Sequence, residues 1–113
     1  MTVTGPVALT PAMRALSTAD DRHSRSAAIV LCDPHFAHRE VIRRNIFTTS
    51  IRWECILAGP WASGERALLR AAANLWHGYG EVDLAALTTL SNLHYALLRR
   101  MLDASRGSGA RAA

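Results

Sequence analysis

The sequence predicts an all-α fold, a small bundle of five or six short helices, and three observations carry that prediction. Apolar residues recur at three- and four-residue intervals along several stretches, capping residues stand at the starts of those stretches, and glycine closes two of them at Gly78 and Gly107. The competing pattern is an α+β fold with short strands near 28–32 and 51–57, where the apolar letters fit either period. At 113 residues, half of them hydrophobic and 19% charged, the chain is the size of one folded domain and lies far from the composition of disorder. The expected organisation is a flexible tail over 1–9, a single helical domain over 10–107 and a disordered tail over 108–113.

Taken in order, the first helix signal is Thr10-Pro11, a capping hydroxyl followed by proline at the first helical position, with Met13 and Leu16 on one face. The polar run STADDRHSRS fits a loop or an exposed helix. Apolar character returns at AAIVLC, and Asp33-Pro34 repeats the cap-then-proline signature, so one helix ends near Cys32 and another begins at Pro34. From His35 to Phe47, one apolar face of His38, Ile42 and Ile46, with Ala37 and Val41, opposes Arg39, Glu40, Arg43 and Arg44, and Glu40 is spaced to pair with Arg44. Ile51, Trp53, Cys55 and Leu57 alternate as in a strand, yet Ile46, Trp53, Ile56 and Leu57 continue a helical stripe; Gly59-Pro60 ends the segment in either case.

The stretch from Trp61 to Gly107 has the cleanest punctuation and reads as three packed helices. Ser63 is the expected cap of a helix over 64–77 that buries Leu68, Leu69, Ala72, Leu75 and Trp76, and Gly78-Tyr79-Gly80 stops it. Asp83 caps a short helix flanked by Val82 and Leu87 as a hydrophobic staple; Ser91 caps the last, with Leu90 and Tyr95 in the same relation. That last helix is expected to bury Leu93, Leu97, Leu98, Met101 and Leu102 and to pair Arg99 with Asp103.

Composition excludes several chemistries. All 13 cationic side chains are arginine, so there is no Schiff-base lysine, no lysine general base and no P-loop of the GxxxxGK[ST] kind. GPWASG has phosphate-loop glycine spacing without that lysine, and no G-x-S-x-G elbow surrounds any serine. The net charge of +4 permits an acidic partner without requiring one. Two cysteines make no disulfide framework, no secretory signal is visible, and the longest purely apolar run, Ala27 to Cys32, is too short to span a bilayer. A cytoplasmic protein with reduced thiols, no cofactor and no membrane partner is the expectation.

Three groups of residues are candidates for function. Cys32, His35 and His38 in C-x2-H-x2-H spacing, with Asp33 and Cys55, supply metal-ligand chemistry, although the spacing is not a familiar zinc pattern and nothing selects a fourth ligand between Cys55 and His77. The same stretch, AAIVLCDPHFAHREVI, resembles the first motif of the calcineurin-like metallophosphoesterases, an apolar strand followed by D-x-H. That resemblance covers about sixteen residues and implies metal ligation by Asp33 and His35, with His38 downstream. The family's later GD, GNH[DE] and GHxH motifs do not occur here, and the chain is too short for its β-sandwich; two-metal hydrolysis needs both ions held by several such ligands.

The second group lies in a helix-turn-helix-like unit over 83–106, where Asn92, Tyr95, Arg99 and Arg100 could meet phosphates and base edges; Leu84, Ala85, Leu90 and Leu98 fit its apolar positions, while Thr89 stands where glycine often turns the chain. The third is a pair of like-charge pairs one turn apart, Arg39 with Arg43 and Arg66 with Arg70, which ask for a compensating partner. The leading expectation is a non-enzymatic helical domain acting through a protein partner or as its own homodimer. A DNA-binding regulator is the rival, and a metal-binding or degenerate phosphoesterase-like fragment is third.

Overall fold

Helices begin where a side-chain oxygen can take up a backbone N–H that the first turn leaves free. In the computed structural model, which describes residues 8–106, Thr10 Oγ1 accepts from Met13 N at 3.1 Å and Pro11 opens α1 (Pro11–Thr18). Asp21 Oδ2 accepts from Ser24 N at 2.9 Å and starts α2 (Arg22–Leu31), so the polar run divides between the two helices. The apolar run 28–32 is the end of α2, with Cys32 as its C-cap. Asp33 Oδ2 then accepts from His35 N at 3.0 Å and begins α3 (Pro34–Ala37). The predicted tails fall largely outside the described residues, at 1–7 and 107–113.

The helical stripe read from His35 to Phe47 is interrupted. Arg39 is extended (φ −78°, ψ 130°) and separates α3 from α4 (Glu40–Arg43). On one continuous helix, positions 36 and 42 would project about 120° apart. The break lets Phe36 and Ile42, both fully buried, enter the same core. His38, expected on the apolar face, is exposed, with Nδ1 3.0 Å from the Pro34 carbonyl.

The ambiguous segment 51–57 contains both signals in miniature. Ile46 and Ile51 form an isolated antiparallel bridge, closed by Phe47 N donating to Ser50 O at 2.8 Å, and the chain then turns directly into α5 (Trp53–Leu57), which buries Trp53 and Ile56. Gly59 is required by a close approach: a Cβ there would stand 2.9 Å from Trp61 Nε1, which donates to Ile56 O at 2.6 Å. α6 (Ser63–His77) starts at its expected cap residue, one residue earlier than expected. Ala62 occupies the cap position, and Glu65 Oε1 accepts the Ala62 N–H at 2.9 Å, so the carboxylate at the third helical position does the work assigned to Ser63. Gly78, left-handed at φ 80°, ends the helix as expected. Asp83 Oδ1 to Ala86 N (3.1 Å) and Ser91 Oγ to His94 N (3.2 Å) cap α7 (Leu84–Leu87) and α8 (Asn92–Ser105).

The described residues therefore form an all-α bundle of eight helices with no strand. The count exceeds six because several segments close after a single turn. α2 lies at the centre, against α8, α6 and α1. Its buried Ala27, Ala28, Val30 and Leu31 meet Leu68, Leu69 and the alanines 71–73 of α6, and small side chains on both helices permit close approach. One polar tie crosses this core: buried Ser26 donates from Oγ to Met101 O at 3.1 Å and accepts from Ser105 Oγ at 2.9 Å.

α8 buries Leu97, Leu98 and Met101, but Leu93 and Leu102, both expected in the core, are 58% and 45% exposed. α2 and α6 pack on α8, while single-turn α7 packs on α6 and leaves Leu102 open at the edge of the groove between the three helices. The expected pairs Glu40 with Arg44 and Arg99 with Asp103 do not form; His35 pairs with Glu65, and Arg70 with Glu81.

Candidate functional site

The residues of the 32–38 cluster do not converge on one point. Cys32 directs its thiol to Met13 O at 3.6 Å, and burial pushes that thiol up to about 11. Cys55 is exposed on α5, Asp33 caps α3, and His38 turns to its own helix. Among the described residues no three His, Cys, Asp or Glu side chains are grouped so as to hold a metal ion. The strand on which the phosphoesterase-like motif would sit is the last turn of α2.

What His35 does meet is a carboxylate thirty residues away. Its Nε2 lies 2.7 Å from Glu65 Oε2, tying α3 to the first turn of α6, while Glu65 Oε1 holds the Ala62 N–H. Burial works to raise the Glu65 carboxyl; the Ala62 N–H, the His35 hydrogen bond and the charges of His35 and Arg39 outweigh it, and the net direction is down. The His94 ring meets His35 edge to face at 4.7 Å between centroids. Burial first and the His35 charge second press His94 below its ordinary value, against the pull of Glu65 and Asp33. Neither imidazole hydrogen-bonds a hydroxyl or thiol among the described residues, so the cluster positions α3, α6 and α8 without an activated nucleophile.

The four arginines singled out by like-charge spacing are largely engaged within the chain. Arg39 lies over the Trp61 ring at 4.4 Å, and Arg43 donates to Ala8 O at 2.7 Å and Ala37 O at 3.2 Å. Arg66 clamps the turn before α6 by donating to the carbonyls of Leu57, Gly59 and Trp61. Arg70 is the looser one, 4.0 Å from the almost fully exposed Glu81. Backbone carbonyls supply most of the compensation that the spacing demanded.

The candidates on α8 are all at the surface: Asn92, Tyr95, Arg99 and Arg100 are exposed. Tyr95 takes part in a feature the sequence did not announce, an apolar groove of ≈ 680 Å³ between α6, α7 and α8. Leu75, Leu87 and Leu98 form its more buried wall, while Leu84 (73% exposed), Tyr95 (47%) and Leu102 stand open around it. On the far side of loop 78–83 lies a second cleft of ≈ 570 Å³, lined by Trp53, Trp76, Leu57, Arg70, Glu54 and Glu81 among others. Tyr79 stacks on His77 at its edge, 3.8 Å between rings. Tyr95, Leu98 and Leu102 stand at i, i+3 and i+7 on α8, a spacing that could have signalled this face, although the sequence pattern alone placed Leu98 and Leu102 in the core and Tyr95 elsewhere.

Comparison with protein-family models, with curated proteins and with solved structures found no match. No helix among the described residues is long and apolar enough to cross a membrane.

Proposed function

We propose that this chain is a non-enzymatic, cytoplasmic protein-binding module that takes an amphipathic helix of a partner protein into the groove between α6, α7 and α8. The observation that carries the reading is the open apolar groove itself, with Leu84, Tyr95 and Leu102 exposed around a leucine wall. Isolated exposed leucines are ordinary; a concave cluster of them is what helix-in-groove recognition uses. Charge selects the kind of helix. Arg99 on α8 and Arg106 at its C-cap follow Tyr95 and Leu102 by four residues, are exposed, and form no ion pair among the described residues, so the matching helix carries acidic residues beside its apolar stripe.

The test is titration with fluorescein-labelled helical peptides that share one leucine stripe and differ in glutamate or lysine flanks. The glutamate peptide is expected to bind saturably, the lysine peptide more weakly, and Leu102→Asp to weaken the first by at least about tenfold while leaving helicity intact. Equal binding by wild type and Leu102→Asp overturns the groove assignment. A concentration-dependent dimer in sedimentation, lost in Leu102→Asp, would make a second copy of the chain the occupant.

DNA binding is the second reading, favoured by the four-residue turn 88–91 between α7 and α8 and by the exposed Asn92, Arg99 and Arg100. It requires duplex affinity that falls steeply between two salt concentrations and is reduced by Arg99→Ala with Arg100→Ala. The single-turn α7 is a poor brace for a recognition helix, and Tyr95 belongs to the groove wall, which places this reading second.

A further inference from the structure

The aromatic cleft beside α5 is built differently from the groove. Its ≈ 570 Å³ falls within the range of small-molecule sites, about 300–1,000 Å³. Trp53 and Trp76 contribute tilted rings 6.4 Å apart, and Leu57 adds an aliphatic wall. Trp53 is 4% exposed, and its Nε1 is the buried side-chain polar atom that lacks a hydrogen-bond partner among the described residues. That atom is closed off from solvent, so the indole offers the cleft an edge of its ring and no free hydrogen-bond donor. The polar lining carries both signs of charge: Arg70, Glu54 and Glu81. Arg70 and Glu81 meet only at 4.0 Å with Glu81 at 95% side-chain exposure, a pair that exchanges partners at little cost.

We infer that this cleft binds a small aromatic zwitterion, an aromatic α-amino acid, with its ring against Trp53 and Trp76, its carboxylate on Arg70 and its ammonium towards Glu54 and Glu81. A simple anion would leave Glu54 and Glu81 facing like charge, and a simple cation would leave Arg70 so placed; a zwitterion answers both. Ring stacking on tryptophan supplies contact area without a further hydrogen-bond requirement.

The experiment is titration of the whole chain by calorimetry and by tryptophan fluorescence, with L-phenylalanine as the probe and 3-phenylpropionate and 2-phenylethylamine as analogues that each lack one charge. L-phenylalanine is expected to bind saturably and to alter tryptophan emission, with each analogue weaker by about tenfold. Arg70→Gln and Glu54→Gln, both at exposed positions, should keep the fold and each reduce L-phenylalanine affinity by a similar factor. Absence of saturable L-phenylalanine binding, or an analogue binding as tightly as L-phenylalanine, overturns the proposal. So does undiminished binding in Arg70→Gln and Glu54→Gln.

Discussion

The two flanks of α8 teach different lessons. On the side of α2, Leu97, Met101 and the Ser26 to Ser105 tie are sealed, every group in contact with a partner inside the chain. On the side of α7, Leu102 and Tyr95 are as apolar as the sealed residues, yet they stand open. Hydrophobic character alone therefore does not separate core from binding surface on this helix. What lies alongside does: α2 and α6 pack on α8, whereas single-turn α7 packs on α6 and leaves the groove face of α8 accessible.

That contrast can be broken by substitution. Phe36, fully buried where α3, Trp61 and His94 meet, anchors the sealed side, and Phe36→Ala should lower unfolding free energy by about 3–5 kcal/mol in chemical denaturation. Ser26→Ala leaves Met101 O and Ser105 Oγ without their cross-helix partner and should cost about 1–3 kcal/mol by the same measurement. Leu102→Ser on the open flank should stay within about 0.5 kcal/mol of wild type while peptide capture in the groove falls. A loss at Leu102 as large as that at Ser26 would erase the distinction between the flanks.

Acidity sharpens the contrast further. His94 is pressed below its ordinary value in the folded chain, so the unfolded chain binds the proton more readily and stability falls as pH drops through and below 6.5. Glu65 has a lowered carboxyl, whose contribution is present above 4.5 and is lost as pH falls through the folded value beneath it. Thermal melts from pH 8 to pH 3 should therefore decline in two stages, and His94→Phe should flatten the first while leaving the second. An unchanged first stage in His94→Phe would remove His94 as its source.

How much of this was readable from the letters depends on distance along the chain. Thr10, Asp33, Asp83, Ser91 and Gly78 were legible because a cap or a stop is settled within three or four residues. Ser63 was misplaced by a single position because glutamate at the third helical residue can cap from inside the helix. The break at Arg39 was not legible, since it arises from the need to bring both Phe36 and Ile42 inward. The clamp of Arg66 on Leu57, Gly59 and Trp61 and the meeting of His35 with Glu65 depend on elements that only folding brings together. For the same reason the sequence placed Leu98 and Leu102 together in the core and Tyr95 in a staple with Leu90, and did not reveal that Leu102 and Tyr95 stand open beside α7.

Loop 78–83 stands between the aromatic cleft and the apolar groove, and Gly80 lines both. It begins at left-handed Gly78 and passes through left-handed Gly80, where φ is 97°. The two cavities share this partition. Any occupant of one side that displaces the partition and thereby changes affinity on the other must itself be felt in return by the same factor.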